Sequence, residues 1–195
     1  LMNDKRGAII AVDPHNGEIL CFVSKPDFDV SVFAGKLDQK VYSALANDPD
    51  KPLFNRVTQT KYPPGSTWKM MMSLSAMAAD IITPVSTIAC GGSFTFGNRT
   101  FEDHGAYGNI NVTRAIEVSA NVFYYKLGLQ LGIDNYNKYG KMFGFGMKTG
   151  IDIPNETSGL LPSREYLDKR RIRVRRTDDH TMADVMELIN ARAKI

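Results

Sequence analysis

A Pro-Gly turn that opens directly into an apolar helix is the feature of this sequence that most limits its fold. Residues 62–69 read YPPGSTWK, and residues 70–78 are almost all apolar or small. A helix that is apolar on nearly every side is typical of the centre of a domain. We therefore expect a buried helix that runs from residue 66 to about residue 81.

Two residues at the start of this helix have the spacing needed for serine acyl transfer. Ser66 and Lys69 stand three positions apart, so their side chains are neighbours on one helix face and the amine can act as base for the hydroxyl. A dry pocket lowers the pKa of a lysine and makes part of it neutral. Trp68 faces away from this pair and is expected in the core. Ser-x-x-Lys pairs also arise by chance, so the spacing alone is weak evidence.

A second polar pair, Ser119 and Asn121, falls between two predicted helices at 112–118 and 121–131. The Ser119 hydroxyl can pass a proton between Lys69 and a leaving amine, and the Asn121 amide can both donate to and accept from a peptide group. Helix capping is the alternative role for these residue types.

With these two elements and several shorter segments, the chain from Gly7 to about Arg170 resembles the transpeptidase domain of the class B penicillin-binding proteins. Within that family it is most similar to the branch that serves cell elongation. The segments that carry the resemblance are GAIIAVDP at 7–14, GEIL at 17–20, KPDFD at 25–29, NR at 55–56, YPPGS at 62–66, Ser119-x-Asn121, GFG at 144–146, TGID at 149–152 and LPS at 161–163.

The resemblance implies an α+β fold of the β-lactamase and transpeptidase type, with an antiparallel sheet packed on a helical cluster. It implies that Ser66 is acylated by a D-Ala-D-Ala stem peptide or a β-lactam, that Lys69 is its base, and that Ser119 and Asn121 form the second catalytic element. No metal or cofactor is implied. A glycosyltransferase partner is implied, as is a periplasmic location at the bacterial inner membrane, through an N-terminal anchor and a preceding domain that these 195 residues do not include.

The family's third active-site element, Lys-Thr-Gly on a strand, has no convincing match. Lys148-Thr149-Gly150 follows Asn121 too closely and lies in a glycine-punctuated stretch, which predicts a structural loop. We expect the true element beyond Ile195, an incomplete fold in this chain, and slow acylation and aggregation by the chain alone. Residues 1–170 are predicted to be a partial transpeptidase domain, and residues 171–195 a basic run and an amphipathic helix of unclear origin.

Two other functions remain open at this point. A β-lactamase or a β-lactam sensor domain shares both serine motifs, and a catalytically inactive fragment or scaffold module would keep the fold alone. The rate at which a bound penicillin is released separates these possibilities.

Composition adds few constraints. The net charge of +3 comes from a basic run at 169–176 without interleaved aromatic residues, which gives no indication of nucleic-acid binding. No apolar run approaches the roughly 20 residues of a membrane span.

The spacing of Cys21 and Cys90 does not decide whether these two residues form a disulfide. His15, His104 and His180 lack metal-ligand spacing, and neither Asp103 nor His104 is assigned a role.

The remaining pattern predicts strands at 8–12 and 18–23 joined through Asn16-Gly17. It predicts mostly loop with a short helix at 25–55, and Asp29 and Arg56 as structural anchors of the loop. It further predicts a short element after Thr83, an aromatic hairpin within 91–108, and helices at 112–118, 121–131 and 134–143.

Overall fold

A computed structural model describes residues 2–3 and 5–169 and divides the chain into two compact units. The first unit takes in residues 1–61 and 148–159, and the second takes in residues 62–147 and the chain from 160 onward. The predicted basic run and helix at 171–195, together with His180, lie outside the described residues.

The first unit is built on an antiparallel hairpin. Strand β1 (Gly7–Val12) pairs with β2 (Ile19–Lys25), with an irregularity in the register after Ala11. Between the strands, the Gly17 N–H donates to the Asp13 carbonyl at 2.8 Å, and Gly17 has a φ of +80°, which glycine adopts without a steric penalty. The predicted hairpin and its turn are confirmed.

Three short helical segments follow this hairpin, each started by a polar side chain. Asp29 caps a 3-10 helix (Val30–Phe33), Asp38 caps α1 (Gln39–Asn47) and Asn55 caps α2 (Arg56–Gln59). Helix α1, with 9 residues, is the short helix predicted within this mostly loop region. No residue of α1 is buried, and the Asp38 cap marks its start.

Arg56 holds the loop before α2, as predicted. Its guanidinium donates to the carbonyls of Asp50 at 2.6 Å and Lys51 at 3.1 Å. Its backbone N–H donates to the Ser24 hydroxyl at 2.9 Å, which ties α2 to strand β2.

The Lys148-Thr149-Gly150 segment lies in a loop of the first unit, and none of its residues belongs to a strand. The Thr149 N–H and hydroxyl both donate to Glu156, at 2.8 and 2.7 Å. The Thr157 N–H donates to the Thr58 carbonyl at 2.9 Å, so this loop is attached to α2 by a backbone bond. These contacts are compatible with the predicted structural loop.

The core of the second unit is the packing of α3 (Trp68–Ala78) against α5 (Asn121–Met142). Helix α3 is shorter than the predicted 66–81, because a 3-10 turn (Gly65–Thr67) precedes it and the chain turns away at Asp80, where φ is +55°. Trp68 is buried, as predicted. The buried core side chains of the two helices include Trp68, Met71, Met72, Ala76, Val122, Phe123, Tyr124, Leu127 and Leu131.

Two antiparallel strand pairs, together called the β-ribbon, contact helix α5 of this core. Strand β3 (Thr87–Cys90) pairs with β6 (Gly108–Asn111), and β4 (Ser93–Phe96) pairs with β5 (Arg99–Glu102). The β4–β5 pair is the predicted aromatic hairpin: the rings of Phe94 and Phe101 lie 6.2 and 5.3 Å from the ring of Tyr125 on α5. The segment after Thr83 is only a turn, closed by Ser86.

The remaining helices are α4 (Val112–Glu117) and α6 (Arg164–Lys169). Cys21 and Cys90 are both free thiols. Among residues 2–3 and 5–169, no helix combines the length and the apolar character that crossing a bilayer requires.

Helix α5 contains a sharp kink at Gly132, where φ is +68° and ψ is 163°. This is why the sequence pattern predicts two helices, at 121–131 and 134–143, where the structure has one interrupted helix. Only glycine occupies this backbone region at low cost. The kink allows Leu131 and Ile133, on either side of it, both to be buried.

We predict that Gly132→Ala lowers the free energy of unfolding by about 1–3 kcal/mol, since a Cβ at this φ is strained although no other atom lies within 4 Å of it. Chemical denaturation measures this change. Gly91→Ala is the matched control, because Gly91 also has open space and has no positive φ. Equal stability of the two variants would contradict the role of the kink.

Candidate active site

Ser66 lies in the 3-10 turn immediately before α3, with its side chain exposed. Gly65, with a φ of +58°, lets the chain turn sharply after the two prolines. The Thr67 hydroxyl donates to the Pro64 carbonyl at 2.7 Å and holds this turn closed. The Ser66 hydroxyl is therefore presented to solvent by a fixed backbone.

Lys69, in the first turn of α3, points at the connection between α4 and α5. Its Nζ donates to the Ser119 carbonyl at 2.7 Å, to Ser119 Oγ at 3.0 Å and to Asn121 Oδ1 at 2.7 Å. An ammonium has three N–H donors, so all of them are used. The direct Lys69–Ser66 contact expected from the sequence is replaced by an indirect one.

Ser119 provides that indirect connection. Its hydroxyl donates to Ser66 Oγ at 3.1 Å while accepting from Lys69 Nζ. The three side chains form one continuous line of hydrogen bonds, with Ser119 in the middle. A hydroxyl can donate and accept at once, so this order of groups can carry a proton in either direction.

The surroundings of Lys69 favour its neutral form. Burial of the side chain lowers the pKa of Lys69 below its ordinary value of 10.5, and the Asp103 carboxylate opposes this shift to a smaller extent. Nζ also lies over the ring of Tyr124, 5.6 Å from its centroid, and this cation–π contact, like Asp103, favours the ammonium. The Tyr124 hydroxyl is hydrogen-bonded to Ser73 at 2.8 Å, and burial raises its pKa, so it stays neutral.

The backbone at Ser119 has a left-handed conformation, with a φ of +53°. This is uncommon for a residue with a Cβ and stores strain that the surroundings must offset. The N–H groups of Ser119 and Ala120 donate to the carbonyls of Ile116 and Ala115 at the end of α4, at 3.1 and 2.9 Å. The turn is thus fixed with both the carbonyl and the hydroxyl of Ser119 within reach of Lys69.

Asp103, to which the sequence assigned no role, contacts this turn directly. Its two carboxylate oxygens accept from the backbone N–H groups of Asn121 and Val122, at 2.9 and 2.8 Å. The residue at the cap position of α5, Ala120, has no side chain that can do this. An alanine where a capping residue is expected was the available signal that a distant acceptor is needed.

The structure therefore brings together all four predicted site residues, Ser66, Lys69, Ser119 and Asn121. Lys148 belongs to the first unit, whereas these four residues belong to the second. The side chain of His104 is exposed. Within the described part of the chain, no three His, Cys, Asp or Glu side chains are grouped so that they could hold a metal ion.

Comparison with known proteins identifies the family. The penicillin binding protein transpeptidase domain matches residues 7–175. The peptidoglycan D,D-transpeptidase MrdA of Escherichia coli strain K12 is 39% identical over 174 residues, which are 87% of this chain and 28% of that protein. The chain thus spans under a third of the length of this curated relative.

Solved structures agree. Penicillin-binding protein 2 of Helicobacter pylori superposes with a TM-score of 0.84 at 35% identity, over 96% of this chain and 35% of that one. The ceftriaxone acyl-enzyme of penicillin-binding protein A from Mycobacterium tuberculosis superposes with a TM-score of 0.70 at 25% identity. The match covers 79% of this chain and 36% of that one. Structures of the H. pylori protein with MreC and of a peptidoglycan synthase complex also match.

The expected α+β fold of the transpeptidase type and the expected similarity to penicillin-binding protein 2 are both confirmed by these neighbours. The sequence match, the shared fold and the grouping of the two serine motifs support one conclusion: this chain belongs to the penicillin binding protein transpeptidase domain family.

Proposed function

We propose that this chain carries the acylating residues of a peptidoglycan D,D-transpeptidase, with Ser66 as the nucleophile. The observation that supports this most directly is the hydrogen-bonded line from Ser66 through Ser119 to Lys69. It joins an exposed hydroxyl to a half-buried amine whose pKa is lowered. The curated relative described above has the same named activity.

In the proposed reaction the proton of Ser66 leaves through Ser119. Once Lys69 is neutral it has two N–H groups and one lone pair. The N–H groups can remain on the Ser119 carbonyl and Asn121 Oδ1, which only accept. The lone pair then accepts the Ser119 proton, while Ser119 Oγ accepts the proton of Ser66.

The bond changes balance around this transfer. Ser66 Oγ forms a bond to the carbonyl carbon of the penultimate D-alanine, and the bond from that carbon to the terminal D-alanine nitrogen breaks. The proton held on Lys69 returns through Ser119 to the leaving amine. The amine of a second stem peptide then attacks the ester, its proton leaves by the same route, and Ser66 recovers its hydroxyl.

Asn121 has one function toward Lys69 and another toward the substrate. Its Oδ1 is occupied by the ammonium at 2.7 Å, which leaves the amide NH₂ to donate to a substrate carbonyl. A β-lactam presents an amide of similar shape to the same groups. The acyl-enzyme of the M. tuberculosis relative supports β-lactams as alternative substrates.

Because peptidoglycan lies outside the cytoplasmic membrane, we place the reaction at the periplasmic face of the inner membrane. We further propose a glycosyltransferase partner. This rests on the match to a peptidoglycan synthase complex in which polymerization and crosslinking are coordinated. The complex of the H. pylori relative with MreC supports a further protein partner for this chain.

Removal of the nucleophile tests the proposal. In the natural protein as the cell produces it, Ser66→Ala should show no penicillin adduct in intact-mass spectra, whereas wild type shows one. The control Ser158→Ala changes an exposed loop serine and should label normally. An adduct on Ser66→Ala would refute the assignment. Rapid release of the adduct by wild type would indicate a β-lactamase, and absence of any wild-type adduct an inactive module.

The pH dependence tests Lys69. The active form is the neutral amine, which dominates above the pKa of Lys69, and burial lowers that pKa from 10.5. The acylation rate should therefore rise with pH and level off below pH 10.5. Lys69→Arg should lose this rise and about 10²–10⁴-fold of the rate, because a guanidinium stays protonated. Stopped-flow acylation between pH 5 and 10 measures both, and an unchanged profile in the arginine variant would exclude Lys69 as base.

The loop at Lys148 provides a contrasting prediction. Lys148 is exposed and lies outside any strand, so Lys148→Ala should leave acylation near wild type and change the free energy of unfolding by less than about 0.5 kcal/mol. Fluorescent-penicillin labelling rates with a thermal melt measure both quantities. A large loss of rate at unchanged stability would show that Lys148 acts on the substrate.

A further inference from the structure

The first turn of α5 contains Asn121 and directly follows Ser119, yet it has no cap from its own sequence. Ala120 occupies the cap position, is 0% exposed and has no side-chain acceptor. The first N–H groups of a helix need an acceptor when they are shielded from water. Both oxygens of Asp103 supply it, at 2.9 Å to the Asn121 N–H and 2.8 Å to the Val122 N–H.

Asp103 is itself fixed by the β-ribbon. Its backbone N–H donates to the Gly92 carbonyl at 2.8 Å, which continues the β4–β5 pairing by one step. One of its oxygens also accepts from the His104 N–H at 2.8 Å. The hairpin that carries it packs Phe94 and Phe101 against Tyr125 of α5. The carboxylate therefore joins a rigid ribbon to the first turn of the helix.

This connection affects the strained turn. Ser119, at a φ of +53°, directs a carbonyl and a hydroxyl at Lys69, and Asn121 directs its amide oxygen there. If the first turn of α5 is free to shift, Ser119 can relax toward an unstrained φ and both contacts lengthen. Displacements of about 1 Å in an active site cost on the order of 100-fold in rate.

We propose that Asp103 is a positioning residue that holds Ser119 and Asn121 in register with Ser66 and Lys69. The proposal rests on the acyl-transfer function above and adds a residue that neither serine motif contains. Asp103 acts through the backbone of Asn121 and Val122 rather than on the substrate.

The charge of Asp103 gives the proposal a second readout. Its carboxylate raises the pKa of Lys69, against the larger effect of burial. Other titratable groups near this pair include Tyr124 and Lys126 on α5, Cys90 on β3 and the exposed His104 beside Asp103. Burial keeps the Tyr124 hydroxyl and the Cys90 thiol neutral, and Lys126 donates to the Ala89 carbonyl at 2.6 Å. Loss of the Asp103 charge should thus move the half-rate pH of acylation downward.

The experiment measures acylation of the natural protein by a fluorescent penicillin, separating the limiting rate from the half-saturation concentration across pH. Asp103→Ala should lower the limiting rate about 100-fold with a much smaller change in half-saturation, and move the half-rate pH down. Asp103→Asn keeps the shape and one acceptor, so it should lose less rate but show the same pH shift. Glu102→Gln, which removes a charge from the exposed neighbouring position on β5, should behave as wild type.

Each outcome is decisive. The proposal would be overturned if a folded Asp103→Ala variant kept the limiting rate and the half-rate pH of wild type. It would equally be overturned if the substitution lowered only the melting temperature. If Asp103→Ala fails to fold, the Asp103→Asn variant decides by the same two quantities. Failure of wild type to label at Ser66 would overturn the proposed function, whereas normal wild-type labelling with indifferent Asp103 variants would overturn the positioning role alone.

Discussion

The three hydrogen bonds of the Lys69 ammonium are the interaction on which the rest of the site depends. They tie the first turn of α3 to the connection between α4 and α5, and two of the three acceptors belong to Ser119. A half-buried charge left without acceptors costs more than a neutral polar group does. The hydrogen bonds from Lys69 to Ser119 therefore offset the free-energy cost of the left-handed backbone conformation of Ser119.

The apolar packing of the second unit fixes the positions of the donor and acceptor groups in these hydrogen bonds. Trp68, one residue before Lys69, is buried against Tyr136 beyond the kink of α5, with ring centroids 5.5 Å apart. Tyr124, three residues after Asn121, packs beside Lys69 and bonds to Ser73 one turn further along α3. Core residues and site residues thus alternate on the same two helices, so rotation of either helix would disturb both.

Local features of the fold could be predicted from the sequence, because each depends on neighbours in the chain. The hairpin at Asn16-Gly17 and the interruption at Gly132 fall in this class. The two serine motifs lie 53 positions apart, and their grouping was predicted from their chemistry and the family resemblance. The cap of α5 depends on atoms far away in the sequence. The carboxylate of Asp103 reaches the N–H of Asn121, 18 positions on, and no periodicity records such a contact. The shift from a direct Lys69–Ser66 bond to one through Ser119 was hidden for the same reason, because Ser119 lies 50 positions after Lys69.

The balance at Lys69 also makes the proposed role as a base compatible with an amine that has three hydrogen-bond acceptors. Three acceptors and the Asp103 carboxylate favour the ammonium, while burial favours the neutral amine, and burial is the largest cause of the pKa shift. Ser66 is exposed, so water still reaches this site before a substrate arrives. In the proposed reaction, a stem peptide or β-lactam covers Ser66, displaces that water and strengthens the desolvation of Lys69. On this proposal, substrate binding drives the amine further toward its neutral form at the moment when the Ser119 hydroxyl has a proton from Ser66 to pass on.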